Sequence, residues 1–162
     1  MVHSFFVQVK NRILQHAARF LPGANSLRPN FHKWRGVQIQ GDIWIGYDAV
    51  IETEYPELVS IGDGASIGIR ATVIAHYHEL RGVKIMQGAY IGPGAIILPN
   101  VTVGEYSVVM AGSVVSRSVP PRTVVQGNPA RPVAECRVSL KSGTTFKEFA
   151  KNLRPISPKV AP

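Results

Sequence analysis

Two histidines, His76 and His78, stand one residue apart in the run Val73-Ile74-Ala75-His76-Tyr77-His78. On an extended segment alternate side chains share a face, so the two imidazoles would point the same way. An imidazole titrates near pH ~6.5 and can take a proton from a hydroxyl or an amine close to neutrality. The pair therefore reads either as a general base or as two solvated histidines in a turn. A zinc site needs three or four ligands. No histidine follows His78 and the single cysteine, Cys136, is remote in sequence, so a metal site would need ligands from a neighbouring chain.

What must position these histidines is a repeat. Ile61, Ile67, Val73, Ile85, Ile91, Ile97, Val103, Val109 and Val115 share a six-residue frame that only Glu79 breaks. Between them lie Gly62-Asp63-Gly64-Ala65, Gly92-Pro93-Gly94-Ala95, Pro99-Asn100 and Gly104-Glu105, small or turn-prone residues. Helices repeat apolar residues at three to four positions and strands at two. A period of six with a turn in each unit predicts a solenoid, in which each aliphatic points inward and stacks on its equivalent one coil away. The fold expected is a left-handed parallel β-helix of three short strands per coil, an all-β solenoid. The frame starts less regularly at Ile39, Ile45 and Ile51, slips across Tyr55-Pro56-Glu57-Leu58, and re-enters at Ile61.

Three segments follow: residues 1–36 as a helix and lead-in, 37–134 as the β-helix, and 135–162 as an extension. Residues 2–20 set Val2, Phe5, Phe6, Val9, Ile13, Ala17 and Phe20 at helical spacing, with Lys10, Arg12 and Arg19 off that stripe. Pro22-Gly23 ends the helix. It is expected either to pack on the solenoid end and cover open strand edges, or to lie on a membrane surface. At the other end Pro120-Pro121 forces a bend, Val124 to Pro129 makes a closing strand and turn, and the pattern dissolves beyond Arg131. Thr144 to Leu153 reads as a short helix with Thr144 or Thr145 as N-cap, and Pro155 to Pro162 as frayed.

The 162 residues suffice for one domain with a real core. The net charge of +8 is uneven. Residues 1–36 hold six basic and no acidic residues, 37–116 three basic and eight acidic, and 117–162 nine basic and two acidic. Basic flanks on an acidic body suit an anionic cofactor or an anionic membrane surface. Little aromatic interleaving and no nucleic-acid motif argue against a nucleic-acid partner. A lone cysteine gives no disulfide framework, which points to a reducing cytoplasm. No apolar run nears the ~18 residues of a membrane span, and no secretory signal is visible.

The segments VSIGDGASIGIRATVIAHYH and IGPGAIILPNVTVGEYSVVMAGSVVSRSVPPRTVVQGNPARPV resemble the hexapeptide acetyltransferases of the galactoside and maltose type, and their relatives that acetylate cell-surface polysaccharides. The resemblance spans about residues 37–134; ILPNVTVG, AGSVVSRSVPP and GNPAR are its characteristic stretches, and an N-terminal helix fits the polysaccharide-modifying branch. It implies a homotrimer with sites between subunits, acetyl-CoA as acyl donor, and direct transfer without a covalent enzyme intermediate. In the family the catalytic histidine is the sixth residue of its unit, which the frame of Ile61, Ile67 and Val73 sets at His78, with His76 two positions early.

The resemblance further implies cofactor contacts at Pro93, Ala111, Ser116, Arg117 and Arg131. Ser116-Arg117 stand where the family has Thr-Lys, and Arg131 holds the basic position of an Asn-Pro-Ala-Lys/Arg turn. Guanidinium groups bind phosphate in bidentate fashion, which gives Arg117 and Arg131 a physical reason to meet the cofactor's phosphates. Glu54 falls near the family's acidic acceptor-binding position. Two features depart from the sugar-specific relatives: their neighbouring Asn falls at Gly46, and only six residues separate His78 from Ile85 where a long excursion is usual. The reading expected is an acetyl-CoA-dependent O-acetyltransferase acting on a sugar hydroxyl of a surface polysaccharide or its precursor, with no metal required. The alternatives are N-acetylation of an amino sugar, a γ-carbonic-anhydrase-like zinc enzyme, and a non-catalytic scaffold.

Overall fold

A computed structural model describes residues 4–76, 82–138, 140 and 144–156. His78, the frame break at Glu79, Val2 and the chain beyond residue 156 lie outside the described residues.

The chain opens with two helices, α1 (Phe5–Phe20) and α2 (Leu27–Arg35), the second of which the sequence reading did not anticipate. Its Pro29 sits in the first turn, where a missing N–H costs nothing, and Gly36 ends it in the left-handed conformation at φ 118°.

The six-residue frame then becomes a parallel β-solenoid. The first coil carries β1 (Gln38–Ile39), β2 (Trp44–Ile45) and β3 (Val50–Ile51), and the second β4 (Val59–Ile61), β5 (Ser66–Ile67) and β6 (Thr72–Val73). The third carries β7 (Val83–Ile85), β8 (Tyr90–Ile91) and β9 (Ile96–Ile97), and the fourth β10 (Thr102–Val103), β11 (Val108–Val109) and β12 (Val114–Val115). Every third strand pairs in parallel, giving three faces: β1-β4-β7-β10, β2-β5-β8-β11 and β3-β6-β9-β12. Ile61 lies opposite Ile85, Ile67 opposite Ile91 and Val73 opposite Ile97, the stacking expected of the repeat.

Each unit buries more than its aliphatic. Two positions before it, Ala65, Ala71, Ala89, Ala95, Ser107 and Ser113 are buried as well. The small residues fill the narrow corners of the core, where a larger side chain would overpack. The slip at Tyr55 to Leu58 is a 3-10 turn over Pro56–Leu58. Trp44 therefore pairs with Ser66, 22 positions on, where the unbroken coil from Tyr90 to Val108 takes 18.

After β12 the second face continues with β13 (Thr123–Gly127), β14 (Ala130–Cys136) and, beyond helix α3 (Phe146–Lys151), β15 (Leu153–Pro155). Thr145 caps α3, its hydroxyl accepting from the Glu148 amide at 3.2 Å. The six-residue pattern ends near Arg131 as the sequence suggested, but the sheet continues. β14 turns antiparallel onto β13 and β15, and Val108, Val124, Ala134, Cys136 and Phe149 form a second small core. This add-on changes period from six to two over seven residues, too short a run to stand out.

Helix α1 does pack on the solenoid, but with the opposite face from the one amphipathicity suggests. Its buried residues are Asn11, Gln15 and Ala18, while Phe5, Phe6, Val9, Ile13 and Phe20 are exposed. The reason is what a solenoid end offers. Its outermost coil presents unpaired backbone acceptors and an acidic corner, so the docking face must be polar. Gln15 Nε2 donates to the Ala49 carbonyl at 3.1 Å, and Arg19 Nε to Asp48 Oδ1 at 2.7 Å.

Candidate active site

Glu52 follows Ile51 at the end of β3, where the chain leaves the first coil for the 3-10 turn. Register sets it beneath Ile74 of the next coil, because Ile51 pairs with Val73. Its side chain is 1 % exposed and turns inward toward Ala75 and His76. Oε2 accepts from the amides of Ala75 (2.7 Å) and His76 (3.1 Å), and Oε1 from the amides of Glu54 (2.9 Å) and Tyr55 (3.2 Å). The same Oε1 lies 2.7 Å from His76 Nδ1. Burial alone would raise this carboxyl. The His76 hydrogen bond and the amides of Glu54, Ala75 and Tyr55 outweigh it, and Glu52 is held below the usual carboxylate range.

With Nδ1 committed to a carboxylate, the Nδ1–H tautomer is favoured and Nε2 is left with its lone pair to accept a proton. Nε2 faces outward, 3.7 Å from Glu54 Oε2, on a side chain that is one-third exposed. The Tyr55 ring meets the imidazole edge to face, with centroids 5.3 Å apart. His76, Glu52 and Glu54 thus form a histidine buttressed from below and open above. Sequence reasoning missed Glu52. The signal was present: once the four-residue slip is added to the 18-residue coil, Glu52 lies one coil below the histidine segment.

A buried network braces this corner from the N-terminal helices. Arg35 Nη2 donates to the Glu52 carbonyl, and Arg35 Nη1 to the Ile51 carbonyl (2.9 Å), to Gln15 Oε1 and toward His32 Nδ1 (3.0 Å). Burial is the main cause lowering the Arg35 guanidinium to about 10, and nearby Glu52 works against it. Burial also lowers His32 to about 3, with the Arg35 charge adding to the effect. His32 is therefore neutral, and its Nε2 has no hydrogen-bond partner among the described residues. Arg28 is likewise buried, donating to the carbonyls of Leu21 (2.8 Å) and Ile45 (2.7 Å). Half of the basic residues in the first flank, Arg19, Arg28 and Arg35, are therefore spent on internal structure rather than left for an anionic ligand.

The other expected site residues that are described, Pro93, Ala111, Ser116, Arg117 and Arg131, are exposed and fall on two corners of the triangle. Pro93 and Ala111 each lie two residues past a second-face strand, and the Gly112 amide donates to the Pro93 carbonyl at 2.9 Å. Gly127 stacks above Ala111, since Val125 pairs with Val109, and Arg131 faces Gln126 in the adjoining hairpin. An open cleft of about 620 Å³ lies beside this corner, lined by Phe20, Tyr47, Asp48, Ile69, Arg70 and Pro93. Ser116 and Arg117 leave the third face after β12, on the corner that carries His76 two coils earlier and Glu52 three coils earlier. One chain therefore brings together His76, Glu52 and Glu54, and keeps Pro93, Ala111 and Arg131 on a different corner. Gly46 lies against the next coil. A Cβ there would meet the Ile69 amide nitrogen at 2.6 Å, so no side chain is admissible at that position. Among the described residues no three His, Cys, Asp or Glu side chains are grouped to hold a metal ion.

The profile of the bacterial transferase hexapeptide family (six repeats) matches residues 82–117. The chain is 31% identical over 132 residues to a Bacillus subtilis protein named "Putative acetyltransferase YvoF", covering 78% of this chain and 77% of that protein. It is 32% identical over 111 residues to galactoside O-acetyltransferase of Escherichia coli, of which it spans about half (54%). Among solved structures, the hexapeptide-repeat acetyltransferase VCA0836 of Vibrio cholerae, complexed with acetyl coenzyme A, superposes with a TM-score of 0.63 at 23% identity. That likeness covers 84% of this chain and 88% of that one, and is one of fold. The stacked six-residue units, together with sequence identity sustained along most of YvoF, show that the chain belongs to the hexapeptide-repeat acetyltransferase family.

Proposed function

We propose that this protein is an acetyl-CoA-dependent O-acetyltransferase whose acceptor is a hydroxyl on a sugar of a surface polysaccharide or its precursor. The observation that carries the chemistry is the 2.7 Å contact between His76 Nδ1 and the buried Glu52 carboxylate, which leaves Nε2 facing outward as a base. Acetyl-CoA would supply an activated thioester. Nε2 takes the proton of the acceptor hydroxyl as the oxygen attacks, then returns it to the departing sulfur, so the imidazole ends as it began. Glu52 steadies the imidazolium formed between the two steps. Glu54, beside Nε2, is suited to hold a neighbouring hydroxyl of the acceptor. Backbone amides along the groove would hold the charge that develops on the carbonyl oxygen.

His78 is the base that the family resemblance implies, His76 is the base that the Glu52 contact supports, and separate variants distinguish them. Arg117 and Arg131 suit the phosphates of the donor, and Pro93 and Ala111, small and exposed, suit close approach of its arm to the backbone. Because these residues occupy two corners, a complete site is built most simply by setting one corner against the other in an adjacent subunit, as in a homotrimer. Gly46, which supplies no side chain to hydrogen-bond a sugar, favours an acceptor other than free galactose or maltose.

Calorimetric titration of acetyl-CoA tests the donor site. The protein should bind it saturably, and Arg117→Ala/Arg131→Ala should weaken binding about tenfold or more, as loss of charge-assisted phosphate contacts predicts. A folded protein that does not bind acetyl-CoA overturns the reading and moves the scaffold alternative forward.

A further inference from the structure

Helix α1 carries two opposed faces. At 100° per residue, Asn11, Gln15 and Ala18 centre on one side and are buried against the solenoid. Phe5, Val9, Ile13 and Phe6 centre on the opposite side. Their exposure is high, 73 % for Phe5, 82 % for Phe6 and 63 % for Ile13. Lys10 and Arg12 fall at the two edges of this apolar arc, and both are exposed. Residues 1–36 contain no acidic side chain, and their three other basic residues besides Lys33 are those spent on internal bonds. The exposed Lys10 and Arg12 of α1 therefore sit beside its exposed apolar surface. An outward apolar arc of this size has a cost in water unless something covers it.

We propose that α1 docks this end of the protein on an anionic lipid surface, lying in the plane of the interface. Phe5, Phe6, Val9 and Ile13 would enter the acyl boundary, with Lys10 and Arg12 at headgroup level. The 16 residues of α1 give a helix about 24 Å long, suited to lying flat. Among the described residues no helix is long and apolar enough to cross a bilayer. Charge decides between occupants. Pairing this face with its copy would bring Lys10 and Arg12 against their own equivalents, whereas an anionic headgroup layer neutralises both. The inference stands apart from the acetyl-transfer reading and survives its failure.

Sedimentation of the full-length protein with lipid vesicles tests it. The protein should partition onto phosphatidylglycerol/phosphatidylcholine vesicles well above phosphatidylcholine alone, and added salt should weaken the binding. Phe6→Ser/Ile13→Ser, at solvent-exposed positions, should lose about tenfold or more in partitioning with its melting temperature unchanged. Lys10→Gln/Arg12→Gln should lose the preference for anionic lipid. Failure to partition onto anionic vesicles, or equal partitioning of the Phe6/Ile13 variant, overturns the proposal. A drop in particle mass of that variant by light scattering also overturns it, and assigns the face to contact between copies of this chain.

Discussion

His76 Nδ1 and Glu52 Oε1 lie 2.7 Å apart although 24 positions separate them in sequence. The solenoid makes this possible. Residues one coil apart are neighbours, and the extra turn over Pro56–Leu58 lets Glu52 fold back under the next coil rather than face solvent. Replacing Glu52 by Gln keeps the shape and removes the charge. If His76 is the base as proposed, kcat should fall about a hundredfold with KM for acetyl-CoA unchanged, because the imidazole loses its partner while the proposed donor residues are untouched. Steady-state kinetics beside a thermal melt checks this. An unaltered kcat with a lowered Tm would make Glu52 a purely structural group.

Arg35 ties that same corner to the N-terminal helices. Its guanidinium donates to the carbonyls of Ile51 and Glu52 and to Gln15, all in a buried setting. Arg35→Met fills similar volume but leaves those acceptors unpaired. Stability should drop by about 3 kcal/mol, read as a lower midpoint in urea unfolding. A drop below about 0.5 kcal/mol, the range of ordinary surface substitutions, would show that the network carries no weight.

His32 makes stability depend on pH. Its folded value of about 3 lies below the ordinary 6.5, chiefly through burial. Between those values the unfolded chain binds a proton that the folded chain refuses. The contribution is fully present above about pH 6.5 and is lost as pH falls toward the folded value, about 2 kcal/mol between roughly pH 7.5 and pH 5. Glu52, also lowered, acts in the same direction but only below its unfolded value of 4.5. Urea midpoints across this range should decline, and His32→Gln should flatten the decline. Equal slopes in the two proteins would contradict the assignment.

The repeat was legible because each coil depends only on its neighbours, so a local pattern carries the whole architecture: Ile67, Ile91 and Val109 all point inward as their frame requires. The cap of α3 was legible to within one residue, Thr144 or Thr145, for the same local reason. The outward turn of Phe6 and Ile13 was not, because an amphipathic pattern says which residues are alike and not which side meets protein. Glu52 was hidden by its long sequence separation from His76. The basic flank misled in part, since charge counts do not distinguish Lys10 in solvent from Arg35 in a buried bond network.

In the proposed reaction a histidine held by Glu52 takes the acceptor's proton. Its most direct test is the rate of coenzyme A release from acetyl-CoA with an acceptor glycan, measured for His76→Ala and His78→Ala side by side. His76→Ala should lose about a hundredfold or more in kcat with acetyl-CoA binding intact, and His78→Ala should lose less. A fully active His76→Ala protein beside an inactive His78→Ala protein would contradict it and return the role of base to His78.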